Sequence, residues 1–214
     1  MDDLKKLLKI CKLTNSNFLI VAIKYIFYKL KGKNIISDQK TIIKGLPNIS
    51  THGLFKIGLD YTGFTSNKDA TYLNVKGRLK ILGNFSLGRG CRVDIGSNAI
   101  VKFGGGSYIN PFTKVIIMNG LAIGNDCAIS WNCQFLDSDF HQIQYEGKKE
   151  SDLKAISIGD RVWIGSHVSV FKGTVIPNGC VIASNSVVKG VFEEENTLIA
   201  GNPAKVIKKQ VSWK

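Results

Sequence analysis

The chain has 214 residues, 44% hydrophobic and 21% charged, a balance that excludes an intrinsically disordered protein and suits one domain with a sizeable core. Its net charge of +13 points to an anionic partner: phosphates, an acidic glycan or a membrane surface. Five cysteines with no CxxC pair argue against a disulfide framework or a zinc knuckle and for a reducing compartment.

Residues 1–45 are read as an amphipathic, basic helical extension. They hold ten lysines against three aspartates. Leu4, Leu7, Leu8 and Cys11 recur at helical spacing, as do Leu19, Ala22, Ile23, Ile26 and Leu30, so two short helices are expected. The apolar run Phe18 to Tyr28 is interrupted by Lys24 and is too short to span a bilayer. Met1-Asp2-Asp3 begins acidic and no small-residue cleavage site follows an apolar run, so no signal peptide is expected and the localisation is read as cytoplasmic. The basic helices either dock on the anionic inner face of a membrane or pack on the end of the following domain and aid oligomer contacts. No nucleic-acid recognition motif accompanies the basic residues.

Residues 46–207 carry an internal repeat, with 208–214 left as a tail. From Ile158 every sixth residue is aliphatic: Ile164, Val170, Ile176, Ile182 and Val188. Four positions after the first five of these come Val162, Val168, Thr174, Cys180 and Ser186, all small or β-branched. Looser copies run upstream through Ile81, Leu87 and Val93, then Phe103, Ile109 and Val115, then Ile123, Ile129 and Phe135. Three hexads make a triangular coil. No hexad buries its apolar face alone, so coils must stack. Less regular segments at Leu54–Leu59 and Thr71–Val75 are expected to start the stack. Cys91, Cys127, Cys133 and Cys180 fall at the small interior position, which makes them packing residues rather than nucleophiles.

The ladder is interrupted once: 23 positions separate Phe135 from Ile158 where six would continue it. A long loop, 136–157, therefore leaves the coil there, and it carries His141, one of three histidines.

The segment Phe135–His141, the run Ile158-Gly159-Asp160-Arg161-Val162-Trp163-Ile164-Gly165 and the closing run Ala200-Gly201-Asn202-Pro203-Ala204 resemble the hexapeptide-repeat acyltransferases. The likeness is to bacterial sugar and polysaccharide O-acetyltransferases related to the galactoside and maltose enzymes. It implies a mainly β fold, a left-handed parallel β-helix. It also implies acetyl-CoA as co-substrate with no metal, a glycan or sugar acceptor, and a homotrimer with active sites between subunits.

By that resemblance His141 is the general base that takes a proton from the acceptor hydroxyl, a task suited to imidazole. Asp137 or Asp139 orients it, or serves as turn chemistry. Asn110 sits near the acyl-transfer centre, or is an Asn-Pro corner. Gly165 and Ser166 lie near the thioester, Ala183 and Ser184 along the pantetheine arm. Trp163 lines the groove. Lys189 and Lys205 face the phosphates of coenzyme A. The implied activity is O-acetylation of a capsule or lipopolysaccharide sugar; the alternative is N-acetylation of an amino-sugar nucleotide. A β-helical carbonic anhydrase needs three zinc-binding histidines, and only His141 and His167 lie in or beside the coils.

Overall fold

The structure, a computed structural model, describes residues 2–60, 63–142, 144–149 and 154–214. Two helices, α1 (Asp2–Leu13) and α2 (Phe18–Leu30), precede a left-handed parallel β-helix with three walls. The first wall stacks Ile35–Ser37, Phe55–Ile57, Phe85–Leu87, Tyr108–Ile109, Ala128–Ile129, Trp163–Ile164, Val181–Ile182 and Leu198–Gly201. The second runs from Ile42–Lys44 to Val187–Val188, and the third from Ile49–Thr51 to Val175–Ile176. Every wall pairs in parallel. The exception is the last strand, Ala204–Lys208, which folds back antiparallel on Leu198–Gly201. The Asn202-Pro203 peptide at that turn is cis.

The six-residue ladder forms the core. Ile57, Leu87, Ile109, Ile129, Ile164, Ile182 and Ile199 are each paired with their neighbours one coil away and are buried. Each such side chain contributes roughly 1.5–3 kcal/mol by leaving water. Phe85 stacks on Phe103 with ring centroids 4.4 Å apart. The cysteine expectation is met: Cys91, Cys127, Cys133 and Cys180 are all buried. Burial pushes the Cys91 thiol up to about 12 and the Cys133 thiol up to about 11.

Two boundaries differ from the sequence expectation. The stack begins at Ile35, inside the segment assigned to the helical extension, because Ile35–Ser37 pairs with Phe55–Ile57 and Ile42–Lys44 pairs with Tyr72–Asn74. Early strands carry two inward residues each, such as Leu73 with Val75 and Val101 with Phe103, so their period slips from six and hides the first coils. A second excursion, 58–71, leaves the corner between the first and second walls, where only the run to Leu59 and the run from Thr71 were expected as early coil.

The helices close the open end of the prism. Tyr28 reaches the core, its hydroxyl 3.3 Å from Ser37 Oγ at the foot of the first wall. Lys24 Nζ donates to the carbonyls of Asp38, Gln39 and Thr41, and Lys33 Nζ to those of Pro47 and Ile49. These are first-coil carbonyls with no preceding coil to pair with, and the lysines satisfy them.

Candidate active site

The long loop departs at the corner between the second and third walls, and its base is tied down. Asp137 is wholly buried at the exit. Its carboxylate accepts from three main-chain amides of the preceding coil: Met118 at 2.7 Å, Asn119 at 2.8 Å and Gly120 at 2.7 Å. Its carbonyl accepts from Lys154 N, where the loop returns, and Lys154 O accepts from Gly173 N. Both carboxylate oxygens are thus committed to backbone, so Asp137 does not orient His141; it anchors the loop.

Asp139 forms an ion pair with Lys172, a buried lysine on the next coil at the same corner. Among the described residues no ion pair or hydrogen bond joins that carboxylate to the imidazole. What faces His141 Nδ1 is the main-chain carbonyl of Asp139, at 3.4 Å. Phe140 takes a left-handed φ of 57°, with its amide donating to Ser138 Oγ, and this turn swings His141 out to solvent. A carbonyl at Nδ1 favours the tautomer with the proton there and leaves Nε2 unprotonated, as a base requires.

The corner between the first and second walls gathers most of the remaining candidates in a column. Asn110 follows Tyr108–Ile109, Trp131 follows Ala128–Ile129, Gly165-Ser166 follows Trp163–Ile164, and Ala183-Ser184 follows Val181–Ile182. Asn110's side-chain amide makes no hydrogen bond among the described residues, and it lines a cavity of about 500 Å³ with Asp60, Tyr108 and Trp131. Phe64, from the 58–71 excursion, packs against both Phe112 and Trp131 at ring-centroid distances of 5.7 Å. Ser166 Oγ donates to Ser184 Oγ at 3.3 Å. A Cβ on Gly165 would lie 2.7 Å from Ser184 N, so glycine is required there for the next coil to close. Trp163 points outward from the first wall, half-exposed. Its indole N–H reaches Ser130 Oγ at 3.4 Å, and its ring lies 6.3 Å from that of Trp213.

Lys189 and Lys205 are both exposed but do not share a corner. Lys189 follows the second-wall strand Val187–Val188; Lys205 lies on the closing strand, opposite Ala200 of the first wall. His141 and Asn110 are separated in the same way, on different corners of one chain. His167 occupies a left-handed turn at the Trp131 corner, with Nε2 3.3 Å from Asn132 Nδ2. Among the described residues no group of three His, Cys, Asp or Glu side chains is placed to hold a metal.

Sequence reasoning missed four elements: Lys172, the aromatic face of the 58–71 excursion, the tail Trp213, and a buried ion pair. In that pair Arg89 lies 3.4 Å from Asp38, both fully buried. Arg89 also donates to the carbonyls of Thr14 and Gly58, tying the helical cap to three successive coils. None of these belongs to a period or a motif. The excursion alone had a signal, in the step from Ile57 to Leu73.

Parallel coils on three walls, with a histidine-bearing loop on one corner and a small-residue column on another, define a β-helical scaffold that carries its candidate groups at the corners. No family model matches the chain. It is 38% identical to an uncharacterized 24.8 kDa protein in the cps region of Klebsiella pneumoniae, over 95% of this chain and 92% of that one. It is 32% identical to WbbJ of Escherichia coli K12, named for lipopolysaccharide biosynthesis O-acetyl transfer, over 64% of this chain and 75% of that one. The crystallographic polysialic acid O-acetyltransferase OatWY shares the fold, with a TM-score of 0.57 and 24% identity over 84% of this chain and 90% of that one. The chain belongs to the hexapeptide-repeat O-acetyltransferase family.

Proposed function

We propose that this protein transfers an acetyl group from acetyl-CoA to a sugar hydroxyl of a bacterial surface glycan, capsule or lipopolysaccharide, with His141 as general base. The observation that carries this reading is the loop base. Asp137, Lys154 and the Asp139–Lys172 pair fix the turn that presents His141, and the Asp139 carbonyl at Nδ1 leaves Nε2 as the acceptor of the hydroxyl proton. Acetyl-CoA supplies the acyl group already activated as a thioester. Asn110 offers an uncommitted amide N–H to the charge that develops on the carbonyl oxygen during attack. The cavity beside it offers Tyr108 and Trp131 as flat faces for a sugar ring and Asp60 as an acceptor for hydroxyls.

We assign the column Gly165, Ser166, Ala183 and Ser184, with the half-exposed Trp163 on the wall beside it, to a pantetheine arm held by main-chain groups. Lys189 and Lys205 supply cations for its phosphates. Because His141 and Asn110 stand on different corners, and Lys189 and Lys205 likewise, we read the working site as shared between neighbouring subunits of a homotrimer.

The test is to incubate the purified protein with acetyl-CoA and candidate glycans, follow thiol release, and locate the new ester by NMR. His141→Ala should lower turnover by roughly 10²–10⁴ while leaving the fold intact. Near-wild-type turnover would remove the base assignment, and acetyl found on an amine would replace O-transfer by N-transfer.

A further inference from the structure

We infer that the outer face of α2 is a membrane-docking surface that seats the prism end-on on an anionic bilayer. The spacing of Leu19, Ile23, Ile26 and Leu30 marks one apolar stripe, and a lone domain would be expected to bury it. The structure turns it out: these four side chains are 68%, 67%, 58% and 81% exposed, with Ile20 and Phe27 exposed beside them. The face turned in carries Val21, Lys24 and Tyr28. Rolling the helix to hide the stripe would strip the first-coil carbonyls of Lys24 and pull Tyr28 from the core. The cap therefore forces six large apolar side chains to face away from the coil stack.

The charge around them selects the partner. Lys5, Lys6, Lys9, Lys12, Lys29 and Lys31 are exposed on the same end of the molecule. From Lys5 to Lys44 the sequence has one carboxylate, Asp38, and it is buried. A second copy docking end to end would set lysines against lysines, whereas an anionic lipid surface complements both the apolar stripe and its cationic rim. Among the described residues no helix is long and apolar enough to cross a membrane. The 13 residues of α2 span only about 20 Å against a hydrocarbon core of about 30 Å, so the helix lies in the interfacial plane. Docking there would hold the enzyme where a lipid-carried acceptor is presented, but the surface itself does not depend on the acetyl-transfer reading.

The experiment is flotation of the full chain with phosphatidylcholine vesicles containing about one-third phosphatidylglycerol, against pure phosphatidylcholine, at low and high salt. The wild type should float with the anionic vesicles, release as salt rises, and ignore the neutral ones. Ile23→Glu with Ile26→Glu should abolish flotation without changing melting temperature or the mass measured by light scattering. Gln at Lys5, Lys6, Lys9 and Lys12 should weaken binding about fivefold per lysine. The inference is overturned if the wild type stays soluble with anionic vesicles or binds both kinds alike. It is equally overturned if the double Glu variant changes the oligomeric mass while still floating, which would make the stripe a contact between copies.

Discussion

Replacing Asp137 by Ala separates two roles that the sequence leaves open for this residue. In the structure its carboxylate accepts three main-chain N–H groups at 2.7–2.8 Å and is wholly buried. A hydrogen bond to a charged group is worth about 1.5–3 kcal/mol. Met118, Asn119 and Gly120 are not themselves fully buried, so water recovers part of each, and removing the carboxylate also relieves its own desolvation. A net loss near 1 kcal/mol per bond, about 3 kcal/mol in all, is the expected result. For a chain of this size that lowers the melting temperature by about 6–12 °C. Asp137→Asn keeps the volume but turns an NH₂ toward amide donors, and should lose nearly as much. Circular dichroism melts give the stability. Steady-state rates well below the transition give kcat/KM and its pH profile for whatever remains folded. An anchor moves the melting temperature and leaves the apparent pKa of the profile in place. The reasoning is refuted if Asp137→Asn melts like the wild type while kcat drops by orders of magnitude with a shifted pH profile, since that is the signature of a carboxylate bound to the catalytic imidazole.

The remaining predictions concern the cap, the thiols, the shared site and the loop turn. Arg89→Met removes the guanidinium paired with Asp38, leaving Lys24 as the other cation that acts on it, and should cost about 3 kcal/mol by denaturant melts, while adding Asp38→Leu should restore part of it; a double-mutant cycle that shows no coupling would mean that the pair is not the origin. Thiols held at about 11 to 12 are almost wholly protonated at pH 8, so native protein should not label at Cys91 or Cys133 with a disulfide reagent until denatured; rapid native labelling with loss of activity would contradict a packing role. If the site is shared, His141→Ala and Asn110→Ala chains refolded together should regain about a quarter of wild-type sites, because random mixing reunites an intact His141 with an intact Asn110 at that frequency. A mixture as inactive as its parents argues for a site within one chain. Asp139→Asn should weaken the hold of Lys172 on the loop, loosen the turn and raise KM and lower kcat together, with a smaller fall in melting temperature than Asp137→Ala, since Asp139 itself is partly exposed.

The hexad ladder was readable because its cause is local and repeated: each aliphatic residue must meet its own copy one coil away, so a period of six written along the chain suffices to specify stacked walls. The same period placed four cysteines in the interior and exposed the one long interruption, with His141 inside it. Periodicity also found the stripe on α2, but it could not say which way the stripe faces. That was decided by the need of the first coil's carbonyls for Lys24 and of the core for Tyr28, partners 14 to 17 positions from Lys24 and nine from Tyr28. In the same manner the short spacing Asp137–Asp139–His141 suggested a carboxylate orienting the imidazole, yet Asp137 is claimed by amides 17 to 19 positions away and Asp139 by Lys172 on the next coil. Sequence alone determined the repeating scaffold and where it breaks, because those follow from contacts between like positions. Which polar group meets which was decided only by the folded prism, because a buried charge takes whatever donors the neighbouring coil brings to its corner.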